Sequence, residues 1–143
     1  MAEDKPITLR DKILGEMAAD YASALEKNFE LAKQFIRITK TGKVDILFKE
    51  KLTGKEQIEL YLIGKLYAKE AQLSSTEDAG SAELMSELGI RSVGSLFPWL
   101  KELGEAGVIE SIKKGKFASY KIKINLVENV LKKIEEKVRK GGR

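Results

Sequence analysis

Residues 91–123 read RSVGSLFPWLKELGEAGVIESIKKGKFASYKIK, and the fold turns on this stretch. Val93, Leu96, Leu100 and Leu103 recur at helical spacing and predict one apolar stripe on a short helix. Gly104 and Gly107 are expected to end it, because glycine enters the left-handed conformation without a Cβ penalty. Residues 108–112 and 117–124 then alternate as two strands. Val108, Glu110 and Ile112 belong to one pleat face, Ile109 and Ser111 to the other. Tyr120, Ile122 and Ile124 share a face opposite Lys121 and Lys123. The connection is Lys113-Lys114-Gly115-Lys116, in which Gly115 supplies the positive φ of a tight hairpin. Immediately upstream, Ser81–Leu88 predicts another short helix, and Gly89-Ile90-Arg91 a tight turn between the two.

Further out, Thr53-Gly54-Lys55-Glu56 is a capping box, in which the Thr and Glu side chains satisfy each other's backbone amides. The helix it opens is expected to run to about Ala71. Its apolar residues, among them Ile58, Leu60, Leu62, Ile63 and Leu66, surround much of the circumference, as in a buried helix. Residues 73–80 (LSSTEDAG) form a polar break before the Ser81–Leu88 helix, whose buried side is Leu84, Met85 and Leu88. Glu77, Asp78, Glu83 and Glu87 make that helix a poor neighbour for phosphate.

At the N-terminal end, Thr8 with Asp11 is a second capping pair, and one long helix is predicted from there to about Phe35. Leu14, Met17, Tyr21, Ala24, Leu31 and Phe35 lie on one face, and Ala18, Leu25, Phe29, Ala32 and Ile36 on the next. A stripe this wide predicts packing on the chain's own core and also on a second subunit, with Asn28 on the seam fixing register. Ile36, Ile38, Val44, Ile46 and Phe48 then alternate around Lys40-Thr41-Gly42-Lys43, a β-hairpin signal with a basic tip. Towards the C-terminus, Asn125 is expected to cap a last helix, with Glu128 at the reciprocal position. Val127, Val130, Leu131, Ile134 and Val138 form its apolar stripe, and Lys132, Lys133, Lys137, Arg139 and Lys140 lie mostly off it. The expected class is mostly α with small β-hairpins, α+β. The expected division is 1–52 as a packing and dimerisation extension, 53–124 as the central module and 125–143 as a C-terminal helix with a basic tail.

The chain has 143 residues, 43% of them hydrophobic, enough for one cored domain with appendages. It has no Cys and no His, which excludes disulfides, zinc ribbons, thiol nucleophiles and histidine bases. No metal or organic cofactor is expected. The start, MAEDKPITLRDK, lacks the apolar run of a signal peptide, and no apolar stretch approaches a membrane span. A cytoplasmic, nucleoid-associated location without membrane contact is therefore expected. The Lys- and Glu-rich composition, sparse in Asn and Gln, is thermophile-like. Net charge is +4 but unevenly spread: +1 over residues 1–52, −4 over 53–90 and +7 over 91–143. A localised basic face suits phosphate contact and counterion release, although lysine runs also serve as plain solvated surfaces.

Catalytic signatures are missing. Each Gly-Lys pair lacks the second glycine of a phosphate-binding P-loop, and neither a G-x-G-x-x-G cradle nor a G-x-S-x-G elbow occurs. Carboxylates are scattered near lysines, as on solvated helices. No enzymatic function is expected.

Helix, tight turn, helix and basic hairpin, in that order, resemble the winged helix-turn-helix DNA-binding superfamily. Locally the stretch is similar to PadR-like regulators through Gly94, Ser95, Leu96, Phe97, Pro98, Leu100, Leu103, Gly107, Ile109 and Glu110. Phe97 stands where those proteins usually carry Tyr, and they usually place the module at the N-terminus. The resemblance implies a homodimeric transcription regulator or chromatin-associated protein on double-stranded DNA. Helix 91–104 would enter the major groove, and the 113–116 wing would reach the backbone or minor groove. Arg91, Ser92, Ser95 and Trp99 are spaced on the side away from the apolar stripe. Arg91 would read guanine or clamp phosphate, and Ser92 and Ser95 would bond base edges or phosphates. Phe97 and Trp99 would touch thymine methyls, unless they belong to the core. Lys101, Lys113, Lys114 and Lys116 would supply charge. A protein–protein adaptor is the rival reading, because Lys101 is offset by Glu102 and Glu105 and the aromatics would then form the partner surface. RNA would be served by the same lysines.

Overall fold

The computed structural model describes residues 8–13 and 21–141. In order they form α1 (Leu9–Lys12), α2 (Tyr21–Lys27), α3 (Phe29–Ala32), β1 (Ile36–Ile38), β2 (Val44–Ile46), α4 (Gly54–Glu70) and β3 (Ala79–Gly80). There follow α5 (Ser81–Leu88), α6 (Val93–Glu105), β4 (Ile109–Lys114), β5 (Phe117–Ile122) and α7 (Val127–Gly141). The chain is α+β: helices predominate, and two small antiparallel sheets accompany them, one of β1-β2 and one ordered β3-β5-β4.

The centre is α4. Its Thr53/Glu56 capping box forms as expected, with the Thr53 hydroxyl accepting from Glu56 N–H at 3.2 Å and the Glu56 carboxylate from Thr53 N–H at 2.9 Å. Ile58, Leu60, Leu62, Ile63 and Leu66 are buried around its circumference, so every side needs a neighbour. The β1-β2 hairpin covers one side, and α2, α5, α6, β5 and α7 pack on the others. The hairpin comes close because position 64 is glycine: a Cβ there would lie 2.5 Å from a Val44 methyl. On the opposite flank, Tyr61 donates to Glu83 at 2.6 Å, and Lys65 pairs with the same carboxylate at 3.0 Å. This clamp ties α4 to α5. Burial first, then Glu83, pushes the Tyr61 hydroxyl well above the usual phenol range, so it remains a donor rather than a base.

The single long helix expected over 8–35 is not what forms. Leu14, Met17 and Ala18 lie outside the described residues. Beyond them α2 stops at Lys27, and α3 is a separate single turn. The break falls at Asn28, whose backbone leaves the helical region (φ −99°, ψ 8°) while its side-chain amide donates to the Ala24 carbonyl at 2.9 Å. Gln34 and Phe35 then bond back only three residues, a tightening that turns the chain into β1. Phe29, expected in a stripe, is 48% exposed, whereas Phe35 and Ile36 are buried from the turn and the strand.

Three other boundaries move. Asn125 does not cap α7 but sits inside a 3-10 turn over Ile124–Leu126 that runs straight into it. Glu128, placed as its partner, pairs instead with Lys132 at 2.7 Å and Lys27 at 3.3 Å. Helix α6 passes through Gly104, and Gly107 (φ +77°) makes the turn while Val108 N–H closes onto the Leu103 carbonyl. The polar break before α5 contributes β3, which pairs with β5 through Ala79↔Tyr120 and Gly80↔Ser119.

Candidate nucleic-acid interface

Gly89 ends α5, and Ser92 caps α6, its hydroxyl accepting from Gly94 N–H at 3.0 Å. The buried side of α6 is Leu96, Leu100 and Leu103. Val93, expected with them, is 55% exposed. Trp99, expected on the free side, packs against the core instead: its indole lies on Gly54, where an added Cβ would overlap the ring. Trading Val93 for Trp99 rotates the helix by roughly 30° at about 100° per residue. The residues pointing outward are consequently Gly94, Pro98, Lys101 and Glu105, with Ser95 and Glu102 on one flank and Val93 and Phe97 on the other. Glu102 is bound to Lys55 at 2.7 Å.

Beside α6 lies the β4-β5 hairpin. Pairing extends to Lys114↔Phe117, so Lys113 and Lys114 are strand residues, and only Gly115-Lys116 makes the turn. Such a two-residue turn requires the positive φ of Gly115, +65°. Strand alternation puts Ile109, Ser111 and Lys113 on the pleat face of β4 that looks towards α6. Ile109 is buried, and Ser111 and Tyr120 line a groove of about 510 Å³ with Phe97 and Lys101.

Arg91, Ser95, Lys101, Lys113 and Lys116 are all exposed, and none of these four cations forms an ion pair among the described residues. The remaining lysine of the hairpin's base, Lys121, is held by Glu77 at 3.2 Å and Glu110 at 3.8 Å. The hydroxyl of buried Ser119 donates to Asp78. These contacts anchor the hairpin to the chain ahead of α5. The structure therefore brings Arg91, Ser92, Ser95, Lys101, Lys113 and Lys116 to the α6–hairpin surface and removes Trp99 from it. Phe97 is 45% exposed there, and Phe117, which sequence reasoning passed over as a strand residue, is 76% exposed beside the turn. Its position next to Gly115-Lys116 was the available signal.

A second feature lies behind this face. A cleft of about 790 Å³ runs between α4, α6 and α7 and includes Glu59. Burial first, then repulsion from Glu56, pushes the Glu59 carboxyl up to about 7, against the pull of Lys133 and Lys55. Folded Glu59 thus keeps a proton that the unfolded chain has lost above about 4.5, and stability falls as pH rises from there through 7. Replacing Glu59 with Gln is expected to raise stability at pH 8 by about 1–3 kcal/mol and to leave pH 4 nearly unchanged, as read from paired urea melts.

No helix among the described residues is long and apolar enough to cross a membrane, and no group of three or more acidic side chains is placed to hold a metal. No protein-family model, curated protein or solved structure matches the chain.

Proposed function

We propose that the chain is a winged helix-turn-helix protein that binds double-stranded DNA, with α6 in the major groove and the β4-β5 hairpin as the wing. The supporting observation is the element order α4, β3, α5, α6, β4, β5 with sheet order β3-β5-β4, which sets a capped helix and a basic hairpin side by side. Four cations on that surface, Arg91, Lys101, Lys113 and Lys116, are free to meet phosphates. A nucleoid-associated regulator fits this reading. The test is a mobility-shift titration on duplex DNA at two salt concentrations. Binding that weakens steeply with salt supports the proposal, and no binding at low salt removes it.

A protein adaptor is the second reading. Val93, Phe97 and Phe117 leave an apolar margin on the same surface, and the outward face of α6 is close to neutral. That reading gains if duplex DNA fails to bind.

A homodimer also belongs to the proposal, with a narrower basis than the sequence suggested. The α7 stripe is buried within its own chain, against α3 and α4. Among the described residues of the predicted N-terminal stripe, Phe29 is the exposed aromatic, flanked by two grooves that share Tyr67. Light scattering at micromolar concentration is expected to give twice the chain mass, and Phe29→Glu to return a monomer. A monomeric wild type would end the dimer proposal.

A further inference from the structure

The cleft between α4, α6 and α7 is not used by the proposed DNA surface. Leu103, Val108, Val130 and Ile134 form its apolar wall. Two ion pairs close its rim, Lys55–Glu102 across α4 and α6 and Glu56–Lys137 across α4 and α7, each at 2.7 Å. Helix α7 runs back past α4, so the next turn sets Glu59 opposite Lys133. At this level the ladder stays open: both residues line the cleft, and neither has a hydrogen bond or ion pair among the described residues. The Glu59 carboxyl is not sealed in, because no fully buried side-chain oxygen among the described residues lacks a partner.

A carboxyl and an ammonium set across an apolar wall from each other match a small zwitterion with an apolar body. We propose that this cleft binds an apolar α-amino acid, its ammonium on Glu59, its carboxylate on Lys133 and its side chain against Leu103, Val130 and Ile134. An amine alone would meet Lys55 and Lys133, and a carboxylate alone would meet Glu56 and Glu59. The zwitterion answers both charges. The other charged groups at the cleft are already committed: Lys55 to Glu102, Glu56 to Lys137 and Lys132 to Glu128. The elevated Glu59 carboxyl agrees, since burial disfavours its ionised form and the pull of Lys133 and Lys55 does not offset that. An arriving ammonium would ionise it and release a proton, so binding should tighten from pH 6 to pH 8.

Calorimetric titration of the full chain tests this site without DNA, so its outcome and that of the DNA proposal are separable. The probes are L-leucine, isoamylamine and isocaproate, which share one apolar body and differ in their charged groups. L-leucine is expected to bind one to one, at least about tenfold tighter than either analogue. Glu59→Gln and Lys133→Met should each weaken it by about tenfold or more, and Glu59→Gln should remove the pH dependence. Circular dichroism of both variants checks that the fold persists. The proposal is overturned by absence of L-leucine binding at millimolar concentration, by equal binding of an analogue, or by a folded variant of either residue that binds as the parent does.

Discussion

With Lys113, Lys114 and Lys116 all changed to alanine, affinity for every duplex is expected to fall by a similar factor, whatever the sequence. Each lost phosphate contact removes about 0.9 from the log–log salt slope, so the slope should drop by up to about 3. Between 50 and 200 mM salt, three such contacts correspond to about fortyfold of the parent's salt sensitivity. Lys113 and Lys116 are exposed and form no ion pair among the described residues, so removing them breaks none of those contacts. Arg91→Ala should behave differently, costing about 1–3 kcal/mol on a preferred site if its guanidinium makes a bidentate base contact, and much less on random DNA. Unchanged affinity and slope in the triple variant would mean that the hairpin is no phosphate clamp. The adaptor reading would then lead, with Phe97 and Phe117 as the next residues to change.

The second large effect is on stability. Leu96 is fully buried and holds α6 to the core. Leu96→Ala should cost about 2–5 kcal/mol, through lost burial and the cavity left behind. That is a large part of the about 5–15 kcal/mol by which native domains are stable. Val93→Ala, one turn earlier in α6, should stay within about 0.5 kcal/mol, because Val93 is more than half exposed. Urea melts with matched m-values would read both. Similar losses at the two positions would contradict the orientation of α6 described above.

This pair of residues also shows where the sequence was legible. Periodicity located α6 and its buried leucines, because Leu96, Leu100 and Leu103 have no other face to occupy. It misplaced Val93 and Trp99, since the side an indole takes depends on Gly54, a partner 45 positions away along the chain. Capping chemistry is local, and the Thr53/Glu56 box formed as read. The Asn125 cap did not, because a 3-10 turn already carries the backbone into α7. The N-terminal helix looked continuous because apolar spacing continues across Asn28, while the non-helical backbone at that residue leaves no trace in hydropathy. Strand β3 is two residues long, too short for alternation to register, and exists through its pairing with β5. Of the surface proposed for DNA, the cations were legible as a charge excess. The apolar margin of Val93 and Phe117 was not, because helix and strand patterns both assign such residues to the interior.

The enclosure of α4 bears on how the molecule comes apart. The segments 1–52 and 125–143 look like appendages in the sequence, yet buried residues from Leu25 to Val138 belong to one core, with the β1-β2 hairpin seated on Gly64. Peeling away either end would uncover one side of the central helix to water. The chain should therefore melt in a single all-or-none step, with calorimetric and van't Hoff enthalpies equal. Trimming it to the helix–hairpin module alone should yield an aggregating fragment, not a smaller binder.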